Sequence, residues 1–193
     1  MLRGRVRLNR STATNPVAVG DTVMYETDVE PDDKNPAVIT EVLERRNYVI
    51  RRSTNLSRQS HIIAANVDRA ILVVTLYFPE IKLPFLDRLL VTCGGYGIPA
   101  TIILNKVDMY RDADPEGIDI FRHIYESAGY EIIETSARTG EGVDRLRELC
   151  KGKLCLFSGE SGVGKSSLIR AVDPSLNPKI GLISEAHLQG KHT

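Results

Sequence analysis

The residues whose types and spacing could do chemistry are concentrated at positions 159 to 167. Gly159, Gly164, Lys165 and Ser166 fill the pattern G-x-x-x-x-G-K-S. Glycines at these positions let the backbone turn so that its N–H groups point at phosphate oxygens. The lysine would supply a positive charge to the phosphates, and the Ser166 hydroxyl a ligand for Mg²⁺. We predict a phosphate-binding loop comprising Gly159, Glu160, Ser161, Gly162, Val163, Gly164, Lys165, Ser166 and Ser167, with Ser167 one residue too late to bind the metal.

The flanking residues are those that such a loop needs. An apolar run at 154–157 is typical of a strand, and residues 165–172 predict an amphipathic helix. Phosphate oxygens would then lie at the N-terminus of that helix. A glycine turn before an N-capped helix would be the alternative, and the loop alone does not separate ATP from GTP.

Strands and helices are predicted to alternate from Asp68 onward. The predicted strands are 70–76, 100–104, 131–135 and 154–157, and the predicted helices are 83–93, 117–128, 142–150 and 165–172. The strands are continuous apolar runs, which is typical of a parallel sheet covered on both faces. We therefore predict an α/β domain with a mostly parallel sheet, whose ligand lies at the carboxyl ends of the strands.

Two further motifs follow predicted strands. Asn105-Lys106-Val107-Asp108 follows residues 100–104, and Ser136-Ala137 follows residues 131–135. Ionised Asp108 offers two acceptor oxygens that match the N1–H and N2–H₂ donors of guanine. Adenine would turn a lone pair toward the same carboxylate, so we expect discrimination of about a thousandfold. On its own, N-K-x-D could be a polar turn that ends a strand.

The remaining residues of these motifs have predicted roles around the base. Lys106 would lay its aliphatic stem along the base plane, and Asn105 would tie its loop to neighbouring segments, including the phosphate loop. The backbone N–H of Ala137, after Ser136, would meet guanine O6. Together the three motifs predict a GTPase of the P-loop class, although Asp108 precedes Gly159, the reverse of the ordinary order. A site made of strand ends depends on sheet position rather than chain order, so the chain resembles the circularly permuted GTPases.

The N-terminal residues predict a different kind of unit. Residues 1–52 contain short strands at 3–8, 17–25, 37–43 and 48–50, with a polar loop at 30–36, which favours a small antiparallel barrel or sheet. Four strands make a marginal unit, so we expect part of this barrel to lie upstream. The arginines of this unit could form a surface for the RNA backbone or a solvated strand edge, and both interpretations stay open for Arg3, Arg5, Arg7, Arg45, Arg46, Arg51, Arg52 and Arg58.

Several of these features resemble one family, the ribosome small-subunit-dependent GTPase A family (RsgA/YjeQ). They are the basic N-terminal barrel, the run Ala64-Ala65-Asn66-Val67-Asp68, the permuted motif order and Gly190-Lys191-His192-Thr193. The resemblance implies an OB-fold-like barrel at 1–52, a connector at 53–67 and a circularly permuted GTPase domain at 68–193. It also implies binding of GTP/GDP and Mg²⁺, binding to the small ribosomal subunit and its rRNA, and subunit-stimulated GTP hydrolysis in late 30S maturation.

The same resemblance assigns residues to catalysis. Gly190–Thr193 would be the first switch, in which Thr193 meets Mg²⁺ and the γ-phosphate and His192 acts in stimulated hydrolysis. Lys165 would place its charge on the γ-phosphate. We expect slow intrinsic turnover that the subunit stimulates.

The chain also departs from the family pattern. A GTPase needs a D-x-x-G motif at the end of a strand. Asp114-Pro115-Glu116-Gly117 matches those letters, but it has no predicted strand before it and fits better as a helix N-cap followed by proline. The family's C-terminal zinc-binding domain is not present in this sequence either. We therefore expect a fragment of a longer protein, with its own hydrolysis impaired and zinc confined to the missing domain.

Composition sets the remaining expectations. The 193 residues include 25 basic and 25 acidic side chains, which argues against bulk electrostatic binding to nucleic acid. Three cysteines, Cys93, Cys150 and Cys155, lack disulfide or zinc spacing. Without a signal peptide or an apolar span, we predict a soluble, cytoplasmic protein. We also expect it to be a monomer.

Three alternatives stay open at this point. The first is a permuted GTPase that acts on the large subunit or on another RNA. The second is an RNA-binding module whose nucleotide pocket is structural only. The third is an ATP-using P-loop enzyme, which requires the Asn105–Asp108 motif to be accidental.

Overall fold

The computed structural model describes residues 15–26, 37–52 and 60–176, and the chain divides into two compact units, Met1–Val67 and Asp68–Thr193. Three of the predicted features therefore lie outside the described residues: the strand at 3–8, the loop at 30–36 and the Gly190–Thr193 switch.

The first unit contains two antiparallel strand pairs among its described residues. Strand β1 (Val23–Glu26) pairs with β2 (Val38–Val42), and β3 (Tyr48–Arg52) pairs with β4 (Ser60–Ala65). Each pair contains one irregularity in register. The pairs are two separate two-stranded sheets in the part of the chain that the structure describes.

Strand β4 corrects one prediction, because it lies within the stretch that we expected to be a polar connector at 53–67. Ile62 and Ala64 are buried while Ile63 is exposed, which is the period-2 pattern of a strand. The β-branched pair Ile62-Ile63 favours this conformation. The polar residues that precede it masked the signal in the sequence.

Arg45, for which an RNA-backbone surface and a solvated strand edge were both left open, forms an ion pair with Asp21 inside this unit. Its guanidinium donates to both carboxylate oxygens of Asp21, at 2.6 and 2.7 Å. The Asp21 side chain is fully buried and that of Arg45 is 15% exposed. Burial alone would raise the pKa of Asp21, but hydrogen bonds from Arg45 and from the Ala18 backbone N–H outweigh it and hold the pKa below its usual value. Arg45 therefore serves the fold of this unit, since its charge is already paired.

The second unit has the predicted alternation of strands and helices. Its strands are β5 (Arg69–Val74), β6 (Ala100–Asn105), β7 (Glu131–Thr135) and β8 (Cys155–Ser158). Its helices are α1 (Leu83–Gly95), α2 (Pro115–Ser127), α3 (Val143–Cys150) and α4 (Lys165–Val172). The four strands form one sheet in the order β7-β6-β5-β8, and each neighbouring pair is parallel, which confirms the predicted parallel sheet.

The core of this unit joins the sheet to the helices α3 and α4. Continuous apolar runs in β5 and β6 are almost fully buried, as expected for strands covered on both faces. One buried cluster connects strands, helices and the phosphate loop through Ile71, Val73, Ile103, Ile133, Leu146, Val163 and Leu168. The loop is therefore anchored in the core through its own valine.

Helix α2 shows why its preceding residues do not form a switch motif. Asp114 is the N-cap, and its carboxylate accepts a hydrogen bond of 3.0 Å from the Gly117 backbone N–H. Pro115 occupies the first turn, where its missing N–H costs nothing. The predicted N-cap is confirmed. Among the described helices, none is long and apolar enough to cross a membrane.

Candidate functional site

The predicted motifs meet at one edge of the sheet. The phosphate loop follows β8, the N-K-x-D motif begins at Asn105, the last residue of β6, and the strand between β6 and β8 is β5. Because all of these strands are parallel, their carboxyl ends lie on the same side. Sheet order thus brings together residues that are more than fifty positions apart in the sequence.

The glycines of the phosphate loop have the backbone that the motif requires. Gly159, Gly162 and Gly164 all have positive φ, at 152°, 82° and 97°. A Cβ on Gly159 would lie 2.1 Å from the Val73 carbonyl oxygen, and one on Gly164 would lie 2.4 Å from Nδ2 of Asn105. Backbone conformation and close packing against β5 and β6 therefore both demand glycine here.

Lys165 lies across the loop that precedes it. Its Nζ donates to the carbonyl oxygens of Gly159, at 2.9 Å, and Glu160, at 2.6 Å. Burial lowers the pKa of Lys165 below its ordinary value, and the nearby Glu160 carboxylate partly offsets that effect. A partly desolvated ammonium group that the loop already holds is well placed to bind an anion there.

The other loop residues divide between surface and core. The Glu160 carboxylate forms an ion pair of 2.8 Å with Lys82, just before α1. The Val163 side chain is buried in the core cluster, so only its backbone is available to a ligand. Ser166 is half-buried in the first turn of α4, whereas Ser161 and Ser167 are exposed.

Asn105 connects the two halves of the site. This side chain is 1% exposed, and its Nδ2 donates to the carbonyl oxygen of Val163 at 2.8 Å. Its Oδ1 accepts a hydrogen bond of 3.1 Å from the Thr135 hydroxyl at the end of β7. A single amide therefore ties the end of β6 to both the phosphate loop and β7.

Lys106 makes a second connection to the phosphate loop. It has a left-handed backbone conformation, with φ at 63°. Its Nζ donates to the carbonyl oxygens of Gly162, at 2.7 Å, and Phe78, at 2.6 Å. The aliphatic stem thus runs from the end of β6 toward the phosphate loop.

Asp108 is held in its ionised form by its neighbours. A hydrogen bond from the Ser136 side chain lowers the pKa of Asp108 most, and Arg138 lowers it further against the opposing effect of burial. Nε and Nη2 of Arg138 lie 2.7 and 2.6 Å from the same carboxylate oxygen, Oδ2. An ionised carboxylate at this position can accept hydrogen bonds from two donors on a base.

Ser136 and Ala137 belong to a tight loop after β7. The buried Ser136 hydroxyl accepts from the Thr139 N–H at 3.1 Å, and the Ser136 carbonyl accepts from the Gly140 N–H at 2.9 Å. Ala137 packs against the core cluster. This loop therefore holds the Ser136 hydroxyl beside Asp108, and Ala137 is the next residue in the chain.

Three residues of this site were missed from the sequence. Thr135 orients Asn105, the buried Tyr110 hydroxyl donates to the Asn105 carbonyl oxygen at 2.7 Å, and Arg138 binds Asp108. Thr135 and Arg138 directly flank Ser136-Ala137, so their position beside a motif was an available signal. Tyr110 gave no signal, because an aromatic residue after a strand is usually a core residue.

The predicted catalytic residues His192 and Thr193 lie outside the described residues, as does the predicted Mg²⁺ ligand Thr193. Within residues 15–26, 37–52 and 60–176, no group of three or more His, Cys, Asp or Glu side chains could hold a metal ion. Ser166, the other predicted Mg²⁺ ligand, lies in the first turn of α4.

Comparison with known proteins gives consistent matches. The model of a family described as RsgA GTPase matches residues 42–193. The small ribosomal subunit biogenesis GTPase RsgA of Bacteroides fragilis is 47% identical over 192 residues, which cover 100% of this chain and 61% of that protein. The protein of the same name from Flavobacterium johnsoniae is 44% identical, with 100% of this chain and 59% of that protein covered.

Two solved structures share the fold. YjeQ from Thermotoga maritima has a TM-score of 0.70 and 38% identity, covering 91% of this chain and 56% of that one. YloQ, described as a circularly permuted GTPase, has a TM-score of 0.64 and 31% identity, covering 90% of this chain and 55% of that one. This chain spans about three fifths of the length of the curated relatives named above.

The guanine-type motif at the end of β6 precedes, along the chain, the phosphate loop that follows β8. With a fold similar to that of YloQ, this order places the chain among the circularly permuted P-loop GTPases. Within that class the extent of the family match is decisive, since it includes all of the second unit. The chain belongs to the RsgA GTPase family.

Proposed function

We propose that this chain binds GTP and GDP and hydrolyses GTP, as part of a factor in late maturation of the small (30S) ribosomal subunit. The observation that carries the proposal is the hydrogen bond from Asn105 to Val163, because it joins a base-reading motif to a phosphate-binding loop in one site. The relatives' names, small ribosomal subunit biogenesis GTPase RsgA, support the biological role.

The phosphate half of the site fits a nucleotide. Three loop glycines have positive φ, and Gly164 begins α4 without a side-chain cap, so the first-turn N–H groups face the loop. Such N–H groups and the helix dipole favour an anion. Lys165 can exchange its carbonyl partners for phosphate oxygens, and Glu160, Ser161, Gly162 and Val163 contribute backbone groups.

The residues present also fit Mg²⁺, which is usually held by phosphate oxygens, water and only one or two protein oxygens. We propose Ser166 as the ligand from the phosphate loop and Thr193 as the ligand from the first switch. When bound, the ion neutralises negative charge on the β- and γ-phosphates.

The base half of the site fits guanine. We propose that Asp108 accepts hydrogen bonds from N1–H and N2–H₂, that the Ala137 N–H donates to O6 and that the Lys106 stem packs on the base. Asn105 and Ser136 hold these groups in place through the contacts described above. Adenine would leave the Asp108 oxygens without donors.

For hydrolysis, we propose that positioning and charge do most of the work. Lys165 stabilises charge on the γ-phosphate, and water is the nucleophile. We assign His192 to subunit-stimulated hydrolysis and Thr193 to the γ-phosphate, from the family resemblance. Turnover by the intact protein alone should be slow.

We propose that the first unit is part of an OB-fold-like barrel that contacts rRNA. We also propose that the protein is a cytoplasmic monomer. Exposed Arg46 and the exposed aromatic residues Tyr25 and Tyr48 support a nucleic-acid surface. Arg45 is excluded from that surface by its ion pair with Asp21.

Asp108→Asn tests the guanine assignment. An amide offers a donor where guanine needs an acceptor, so GDP affinity should fall by about a hundredfold to a thousandfold. Xanthosine diphosphate should bind more tightly than GDP to this variant, because its 2-oxo group accepts a hydrogen bond from the amide. Titration calorimetry with GDP, GTP, xanthosine diphosphate and ADP measures both effects.

Asp119→Asn is the matched control, since Asp119 is exposed on α2 and outside the site. It should bind GDP like the unmodified chain. If Asp108→Asn bound GDP as well as this control, the guanine assignment would be wrong. GTPase assays of the intact protein with purified 30S and 50S particles then test the partner, and stimulation by 50S alone would contradict the role.

A further inference from the structure

Arg138 makes the closest charged contact to the base-reading carboxylate, although no motif includes it. Its Nε and Nη2 donate to Oδ2 of Asp108 at 2.7 and 2.6 Å. The Asp108 side chain is 10% exposed, whereas that of Arg138 is 73% exposed. The ion pair therefore joins a fixed, nearly buried acceptor to a side chain with few other constraints.

This contact uses an oxygen that guanine also needs. A carboxylate oxygen has about two lone-pair sites, and two N–H groups of Arg138 occupy those of Oδ2. Guanine would present N1–H and N2–H₂ side by side, so paired recognition requires both Oδ1 and Oδ2. The base and Arg138 cannot both make their full sets of hydrogen bonds to Asp108.

Arg138 can leave at low cost. Most of its side chain is already in water, so the guanidinium can be hydrated when the contact breaks. Asp108 cannot turn away in the same manner, because it is nearly buried and Ser136 also holds it. For a base to replace Arg138 as the hydrogen-bond donor to Asp108, the arginine side chain is therefore the group that moves.

We propose that Arg138 competes with the guanine base for Asp108, and so weakens guanine nucleotide binding and speeds nucleotide release. This inference rests on the proposed function, since it needs guanine at Asp108. It assigns to Arg138 the regulation of affinity rather than the choice of base. An arginine that packed on the bound base would have the opposite effect, so the direction of change decides between the two roles.

Arg138→Met tests the proposal, because methionine keeps an apolar stem of similar length and removes the competing donors. Exposed ion pairs have modest strength, so GDP should bind about two- to fivefold more tightly and dissociate correspondingly more slowly. Titration calorimetry gives the affinity, and stopped-flow release of a fluorescent GDP analogue gives the rate. Arg138→Lys keeps the charge but loses the paired N–H groups. Its affinity for GDP should therefore lie between those of the unmodified chain and Arg138→Met.

Arg145→Met is the matched control. Arg145 is 64% exposed and pairs with Glu131 at 2.8 Å, away from Asp108, so its loss should leave GDP affinity and release unchanged. The effect of Arg138→Met should also disappear in an Asp108→Asn background, because no shared carboxylate remains. Persistence of the full effect in that background would overturn the competition.

Other outcomes separate this inference from the proposed function. If the unmodified chain bound GDP but Arg138→Met bound it equally or more weakly, the competition alone would be overturned. If the unmodified chain bound no guanine nucleotide, the proposed function would fail, and the competition with it. A carboxyl ¹³C titration that gave the same Asp108 pKa with and without Arg138 would also overturn the inference.

Discussion

The two halves of the candidate site are built from different chemical groups. In the phosphate loop, Gly159 and Gly164 supply backbone conformations and Lys165 bonds to backbone carbonyls. In the base-reading half, the contacts come from the side chains of Asn105 and Asp108. The residues tolerated in the phosphate half are therefore limited by space and backbone conformation. Those tolerated in the base half are limited by the need to give buried polar groups hydrogen-bond partners.

The largest expected effect on stability comes from a steric clash in the phosphate half of the site. Gly159→Ala would place a Cβ 2.1 Å from the Val73 carbonyl oxygen, and the β5 backbone has little freedom to move. Strain and overpacking together should lower the free energy of unfolding by about 2–4 kcal/mol. Urea denaturation followed by circular dichroism measures the change.

Gly152→Ala is the control for that variant, because Gly152 has φ at 66° but nothing within 4 Å of a Cβ. It should lose only the cost of a left-handed alanine, about 1–2 kcal/mol. Equal losses in the two variants would show that the contact with β5 is unimportant.

The next largest effect comes from a substitution in the base half that leaves buried polar groups without hydrogen-bond partners. Asn105→Ala removes the partner of both the Val163 carbonyl and the Thr135 hydroxyl. The free energy of unfolding should fall by about 1–3 kcal/mol, because these groups lie in a buried environment. GDP affinity should fall as well, since the two halves lose their link. Both quantities are measured by urea denaturation and titration calorimetry.

Thr135→Val gives the intermediate case. It keeps the volume of the side chain and removes only the hydrogen bond to Oδ1 of Asn105. We expect a loss of about 1 kcal/mol with the Val163 contact intact. A loss as large as that of Asn105→Ala would place the main contribution at Thr135 and contradict the bridging role of the amide.

The smallest effect concerns the charge of Asp108. Its pKa in the folded chain is lowered, chiefly by Ser136 and then by Arg138, so the ionised form stabilises the fold above the ordinary aspartate pKa of about 3.9. This contribution, below about 1 kcal/mol, disappears as the pH falls through the lowered pKa. The stability difference from Asp108→Asn should thus be constant between about pH 5 and 7 and shrink in stronger acid. A difference already shrinking near neutral pH would contradict the lowered pKa.

The sequence predicted the second unit well because its local signals agree with its packing. Continuous apolar runs marked β5 to β8, and the polar residues after β6 and β7 lie where parallel strands end. The site motifs were visible because their chemistry requires fixed residue types at fixed spacing. Contacts that fix those motifs, such as Tyr110 to the Asn105 carbonyl, depend on packing that no local pattern encodes.

The first unit was less predictable for the same reason. Strand β4 has a short apolar run after polar residues, and its strand character depends on pairing with β3. The sequence left two interpretations open for the arginines, an RNA-backbone surface and a solvated strand edge, but neither pattern showed that Arg45 pairs with Asp21, twenty-four positions earlier. Charge counts along a sequence do not reveal such pairs.

The position of β8 has a consequence for vectorial synthesis. Strands β5, β6 and β7 precede it, and β8 pairs with β5 through Cys155–Ser158. A growing chain can therefore assemble Asn105, Asp108 and Ser136 while the future β8 side of β5 is still unpaired. The phosphate loop can bind a nucleotide only after translation has passed α4 and β8 has joined the sheet. Under the proposed function, tight binding of GTP would therefore wait until β8 and α4 have formed, and nucleotide would stabilise chains that have reached that stage over shorter nascent ones.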